Sequence, residues 1–151
     1  MSSDPITRIK TPVRLDFTHT ADPATATYIA GLGERRLIGG RCTSCHRVMV
    51  PLRSICPICA TGPMDPLDLP ETGEVSTFCV INIPFDGQVL TPPYACAHVT
   101  LDGADVQLFH LVGECPPAQV RTGMRVRAVW NDDPAAVGHA RLRYFKPLEE
   151  T

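Results

Sequence analysis

No stretch of this sequence approaches the roughly 18 apolar residues of a membrane-spanning helix. Its first 27 residues carry Asp4, Asp16 and Asp22 without an apolar run of signal-peptide length. The expectation is a cytoplasmic protein with no membrane partner. A basic excess is missing as well: 14 lysines and arginines face 16 acidic residues, for a formal charge of −2. Phosphate neutralisation normally needs the opposite balance, which disfavours a generic nucleic-acid binder. Aromatic residues make up only 6% of the chain, a thin supply for base stacking. There is no glycine loop to cradle phosphate, no serine elbow and no convincing carboxylate pair. With 151 residues, 44% of them apolar, the chain can build one core or two small ones and has no room for a large catalytic domain.

Cysteine, by contrast, occurs seven times. The odd number suits a reduced compartment with a metal site better than a secreted disulfide framework. Four of the seven fall in CTSCHRVMVPLRSICPIC, residues 42–59, as two C-x2-C pairs. Cysteines at this spacing in a turn can aim both sulfurs at one point, and two facing turns supply a tetrahedral set suited to zinc, the arrangement of a zinc ribbon. The ten-residue gap HRVMVPLRSI suffices for two short strands and a turn. If Cys42, Cys45, Cys56 and Cys59 all bind the metal, no position remains for water, and the site is structural rather than a source of metal-bound hydroxide. Four sulfurs also admit iron, which would make the chain a rubredoxin-like electron carrier. A thioredoxin-like dithiol would need one pair at a helix start rather than two matched pairs. His46, beside Cys45, is either a substitute ligand or a solvent-facing loop histidine. Cys79, Cys96 and Cys115 are left as free thiols.

Around this segment the chain reads as an extended arm over residues 1–23, a helix and ribbon over 24–66 and a β domain over 67–148. The arm mixes Pro5, Pro12 and Pro23 with polar residues and shows no sustained period. In TATYIAGLGERRLIGGR, residues 25–41, Tyr28, Ile29, Leu32 and Leu37 have the spacing of one face of a short helix. Gly39 and Gly40 serve as its stop signal, and the predicted helix covers residues 24–36. Residues 61–72, TGPMDPLDLPET, carry three prolines without a period and read as a connector. Beyond it the period becomes two. GEVSTFCVINI, YACAHVTL, DVQLFHLVG, GMRVRAVW and HARLRYFKP read as five strands, the second and third flanking DGA as a hairpin. Five short strands punctuated by glycine and proline suggest a small barrel such as the OB-fold, or a five-stranded sandwich. ECPPAQVRT, residues 114–122, sits where an OB-fold joins its third and fourth strands.

The stretch YIAGLGERRLIGGRCTSCHRVMVPLRSICPICA, followed by these strands, resembles a family of a helix, a rubredoxin-like zinc ribbon and a C-terminal OB-fold, domain of unknown function thirty-five, whose members accompany acyl-CoA thiolases and related enzymes. Gly31, Leu32, Cys42, Cys45, Pro51, Arg53, Cys56, Pro57 and Cys59 match the family pattern. Leu52 stands where a second proline is usual, and His46 where a glycine is usual; neither touches a sulfur ligand. The resemblance covers about residues 25–148. It implies a mainly β chain with a short N-terminal helix and a zinc ribbon ahead of a five-stranded OB-fold. It further implies a non-catalytic accessory subunit in a hetero-oligomer with a thiolase-like or aldolase-like enzyme acting on acyl-CoA, in steroid side-chain or fatty-acid degradation, with a contribution to CoA binding.

Charge is polarised along the chain. Residues 28–70 hold Arg35, Arg36, Arg41, Arg47 and Arg53 against Glu34, Asp65 and Asp68, whereas residues 71–151 are net acidic. Arginine suits bidentate phosphate contacts, which makes these five the candidates for a CoA phosphate or an acidic partner surface; a solvated face is the plainer reading. Cys96 and His98 share a strand face and form the sharpest candidate for a catalytic pair. A small buried cysteine beside a hydrogen-bonded histidine explains them equally simply. The alternative function is a single-stranded nucleic-acid binder, with Phe78, Phe109 and Trp130 as its stacking residues.

Overall fold

Asp22 opens the first helix by capping it. Its carboxylate accepts the Thr25 backbone N–H at 2.7 Å, and Pro23 occupies the first helical position, where its missing N–H costs nothing. The computed structural model describes Thr7, Leu15, Asp16, residues 18–88 and residues 90–148. The arm expected over residues 1–23 therefore lies mostly outside the described residues.

Helix α1 spans Pro23–Gly33 and buries Tyr28, Gly31 and Leu32. It ends earlier than the glycine pair predicted, through a reversal at Arg35. Arg35 takes a left-handed φ of 59°, the Arg36 N–H bonds the Gly31 carbonyl at 2.8 Å, and the Arg35 N–H bonds the Leu32 carbonyl at 3.1 Å. This is a Schellman cap with arginine in the usual glycine position.

Gly39 and Gly40 are therefore not a helix stop. They lie inside strand β1, Leu37–Cys42, the central strand of a three-stranded antiparallel sheet with β2, Val48–Met49, and β3, Met64–Leu69. Close approach requires glycine at position 39, where a Cβ would stand 2.7 Å from Leu69 Cδ1 and 2.8 Å from the Met49 carbonyl oxygen; one on Gly40 would stand 2.7 Å from Leu52 Cδ1, the end of a side chain that can shift, and 3.1 Å from Met64 Cβ.

The connector reading of residues 61–72 also needs correction, because β3 pairs with β1 along its whole length, from Leu37 opposite Leu69 to Cys42 opposite Met64. Pro66 hid this strand. It is tolerated because β3 lies at the sheet edge, where a residue without an N–H leaves no ladder bond broken.

Only Pro70 and Glu71 separate β3 from a closed five-stranded barrel. Its strands are β4, Thr72–Ile81; β5, Tyr94–Leu101; β6, Leu108–Val112; β7, Arg125–Trp130; and β8, Leu142–Pro147. The order around the barrel is β4-β5-β6-β8-β7, antiparallel except for the parallel contact of β6 with β8. This is the OB-fold order, with a 3-10 turn at Pro117–Gln119 joining the third and fourth strands. Alternation along β7 is as expected: Met124, Val126 and Ala128 face the interior, and Arg125 and Arg127 face out. Val75, Ala97, Val99, Val126 and Phe145 fill the barrel with no measurable exposure.

The third barrel strand begins later than DVQLFHLVG suggested, and the reason is tertiary. Asp105 is diverted onto the ribbon: its backbone N–H bonds the Val48 carbonyl, and its carboxylate accepts the Val48 N–H, both at 2.8 Å. Glu71 ties the junction from the other side, accepting the Ala128 N–H through its carbonyl and the Trp130 indole N–H through its carboxylate, again both at 2.8 Å. Helix, ribbon and barrel thereby share one buried cluster.

Replacing Gly39 with alanine should destabilise the protein by about 1–3 kcal/mol, the usual range for forcing atoms into a packed interior. The Met49 carbonyl is backbone and cannot rotate away. Chemical denaturation of the two proteins checks this, and an unchanged midpoint would contradict the packing described.

Candidate metal centre

The four ribbon cysteines sit on two turns built alike. In the first, the Cys42 N–H bonds the Arg47 carbonyl at 2.9 Å and the His46 N–H bonds the Cys42 carbonyl at 3.0 Å. In the second, the Cys56 N–H bonds the Thr61 carbonyl and the Ala60 N–H bonds the Cys56 carbonyl, both at 2.9 Å. His46 and Ala60 occupy equivalent places and both are left-handed, with φ of 60° and 53°. The departure from glycine at His46 thus falls at the residue whose conformation favours glycine most.

The turns bring the sulfurs together. Sγ of Cys42 and Cys59 are 3.5 Å apart, Sγ of Cys45 and Cys56 are 3.7 Å apart, and all four lie within 4.8 Å of one another. Zinc bound tetrahedrally to thiolates at about 2.3 Å sets its sulfurs about 3.8 Å apart, so the donor set fits the ion in both chemistry and spacing. Cys42 and Cys56 are buried, Cys45 half-buried and Cys59 exposed, which places the centre at the ribbon's tip. Backbone N–H groups of Ser44 and Cys45 point at Cys42 Sγ at 3.4 Å, the outer-shell contacts that favour thiolate.

Without a cation the thiols compete for charge. Cys59 is pulled down to about 6, first by the Thr61 hydroxyl and then by the Thr61 backbone. Hydrogen bonding from the Cys45 backbone lowers Cys42. The Arg47 backbone lowers Cys45 too, but burial and the neighbouring thiols outweigh it and push Cys45 up to about 11.

The five candidate arginines do not form one site. Arg35 is held by Asp132, and Arg36 by Glu34 at 2.7 Å and Asp68 at 3.0 Å. Both serve the fold, Arg35 linking the helix end to the barrel and Arg36 linking it to β3. Arg41, Arg47 and Arg53 make no ion pair among the described residues. Arg53 lines a groove of about 330 Å³ whose other walls are mostly apolar, from Pro23 and Ala24 of the helix to Leu52 and Met64 of the ribbon.

The Cys96–His98 pairing is not made: no hydrogen bond joins them among the described residues, and the His98 ring packs against Phe109 at 5.0 Å. Burial, reinforced by Cys79, pushes the Cys96 thiol up, opposite to an activated nucleophile. The aromatic trio is dispersed as well. Phe78 is opposite Ala97 and Phe109 opposite His98, so consecutive residues of β5 place the two rings on opposite faces of the sheet. Trp130 is committed to Glu71.

Sequence reasoning missed β3, the Asp105 clamp and the Glu71 anchor. Only Leu67 and Leu69, two apart on either side of Asp68, hinted at a strand; the two acidic contacts carry no local pattern. No helix among the described residues is long and apolar enough to cross a membrane.

Two family models match the chain: "ChsH2, rubredoxin-like zinc ribbon domain" over residues 30–65, and "ChsH2, C-terminal OB-fold domain" over residues 67–131. A "DUF35 domain-containing scaffold protein" of Pyrococcus furiosus is 34% identical over 94 residues, covering 62% of this chain and 68% of the relative. A "Probable enoyl-CoA hydratase alpha subunit" of Thermomonospora curvata is 30% identical over 118 residues, 78% of this chain but only 36% of that longer protein. Among solved structures, a chain of the Ltp2-ChsH2(DUF35) aldolase superposes with a TM-score of 0.66 at 23% identity, covering 86% of this chain and 98% of the other. At that identity the likeness is one of fold.

Two substitutions test the centre. Cys56→Ser should lose bound zinc, and it should fold poorly, because metal binding contributes much of a small ribbon's stability. Full zinc content by elemental analysis with an unchanged melting profile would contradict the ligand set. His46→Gly should keep its metal and gain about 0.5–1 kcal/mol, as relief of the left-handed strain outweighs the added chain entropy. A lowered melting temperature would show His46 making a contact of its own.

Proposed function

Because the chain belongs to the DUF35 family of paired zinc-ribbon and OB-fold domains, we propose that it is a non-catalytic accessory subunit. In this reading a structural zinc, held by Cys42, Cys45, Cys56 and Cys59, stiffens a ribbon that works with the OB barrel as a scaffold for a thiolase-fold enzyme, thiolase or aldolase in type. That enzyme acts on acyl-CoA, in steroid side-chain or fatty-acid degradation. The two together form a hetero-oligomer in the cytoplasm.

The observation that carries the reading is the pairing of a closed four-sulfur centre with a barrel in which the candidate Cys96–His98 pair is not assembled among the described residues. Four thiolates complete a tetrahedral zinc, leaving the ion a purely architectural task. The supporting analogies are the scaffold name of the Pyrococcus relative, the aldolase in which a like fold is found, and the enoyl-CoA hydratase subunit name of the Thermomonospora protein. They are analogies of family and fold, so function is argued from the site as well.

Contact with CoA falls to the ribbon arginines in this proposal, and Arg53 is the foremost. Arg35 and Arg36 already neutralise carboxylates of their own chain, so a phosphate would have to displace those pairs. Arg53 borders an apolar groove, a suitable setting for an extended ligand with an anionic end.

The test is co-expression with a candidate thiolase-like or aldolase-like enzyme, purification through a tag on one chain, and assay of carbon–carbon bond cleavage or formation on acyl-CoA. A stable complex whose activity depends on this chain, itself inert when pure, is the expected outcome. Within such a complex, Arg53→Ala should raise KM for acyl-CoA several-fold with little change in kcat. Failure to associate, with enzyme activity unaffected, would remove the accessory reading. Tight binding of single-stranded DNA or RNA at low salt would replace it with the nucleic-acid one.

A further inference from the structure

Three cysteines lie outside the metal centre, and two of them face each other. Cys79 on β4 and Cys96 on β5 are directly opposed in the antiparallel ladder. Opposed residues share a face, with Cα atoms about 4.5 or 5.5 Å apart according to the hydrogen-bonding class of the pair. Both distances fall within the roughly 4.4–6.8 Å that a disulfide spans. By Cα spacing the two backbones stand within a bridge's reach, and their Cβ atoms, about 4.5–5.5 Å apart in an opposed pair, need close by only about an ångström to meet the roughly 3.5–4.5 Å of a disulfide.

The shared face is the outer one. Cys79 is exposed and Cys96 half-buried, while Ala95 and Ala97, flanking Cys96, point into the barrel and are buried. A small reagent can thus reach the pair from solvent, Cys79 first. Cys115 is different: it is half-buried in the loop before Pro116 and has no sulfur partner among the described residues. The ribbon sulfurs form a separate cluster, and neither Cys79 nor Cys96 belongs to it.

We propose that Cys79 and Cys96 form a redox-responsive dithiol that closes into a cross-strand disulfide on exposure to a small-molecule disulfide. The Cys79 thiolate attacks one sulfur of the reagent, forming a mixed disulfide and releasing the first small thiol. Cys96 then loses its proton and attacks the Cys79 sulfur, expelling the second small thiol. Two protein thiols lose two electrons and two protons, and the reagent gains both as two thiols, so the exchange needs no further oxidant. The bridge forms two pairs from the hairpin's loop end, where Ile81 opposes Tyr94, and staples the base of the loop that exposes Ile83 and Phe85. This is independent of the accessory-subunit reading and survives its failure.

The experiment uses the full, zinc-loaded chain, incubated without air with glutathione disulfide, then alkylated and mapped by mass spectrometry. The expected product is two hydrogens lighter than the reduced protein and contains a peptide cross-link between Cys79 and Cys96. Cys115 should remain open to alkylation, zinc should be retained, and a small dithiol should restore both thiols. In Cys96→Ser, the Cys79 thiol should instead hold a lasting glutathione adduct. On the unaltered protein, a trivalent arsenical that bridges adjacent thiols should block Cys79 and Cys96 together. Separate glutathione adducts on the two cysteines without a cross-link, or reaction at Cys115 alone, would overturn the proposal. So would failure of the arsenical to protect the pair.

Discussion

The arrangement of this protein rests on how closely other elements can approach one strand. β1 has α1 against it and a strand on each side, and it ends in the first metal-binding turn. The approach works because glycine replaces side chains at the contacts: Gly31 lets the helix settle on Ile38, Gly39 admits Leu69 and the Met49 carbonyl, and Gly40 admits Leu52. Interiors packed at crystal-like density leave no slack for an extra methyl at such points. Position follows from this contact. Cys42 is the last residue of β1, so the strand's register sets one sulfur of the centre, and β2 brings Val48 to where Asp105 of the barrel can grip it.

Charge is spent mainly on joining parts. Arg35 reaches Asp132, Arg36 reaches Asp68, and Arg125 meets Asp102 in a two-bond pair that also engages Thr72. Led by Arg125, those hydrogen bonds hold the Asp102 carboxyl down near 2. These pairs are largely solvated, so each contributes little energy; the Arg35 and Arg36 pairs orient the helix end against barrel and ribbon, and the Arg125 pair lies within the barrel. What remains for a partner is a smaller basic set than the composition of residues 28–70 suggested, and within it Arg53 is placed against an apolar groove.

The parts legible in the sequence were those with short-range signatures. Two C-x2-C pairs announced the sulfur cluster because a turn of that length aims both thiols inward, and the five period-two runs announced the barrel because alternate residues of a strand face alternate sides. β3 was not legible: Pro66 and the flanking prolines imitate a connector, and only its place at the sheet edge makes proline acceptable. Gly39 and Gly40 misled for a related reason. A glycine pair stops a helix or admits a close neighbour, and the neighbours that decide between these, Met49, Leu52 and Leu69, come from other strands.

By itself, then, the sequence determined the metal-binding residues that could converge, the fold class, and the alternation of the barrel strands, because each is written in spacings of a few residues. Tertiary structure alone decided which arginines are already neutralised, that Cys79 faces Cys96 rather than Cys96 facing a working His98, and that Asp105 belongs to the ribbon as much as to the barrel. Each of these depends on residues far apart in the chain meeting at hydrogen-bond or side-chain distance. Such meetings are set by strand register and by what the core can pack, and no local pattern of residues encodes either.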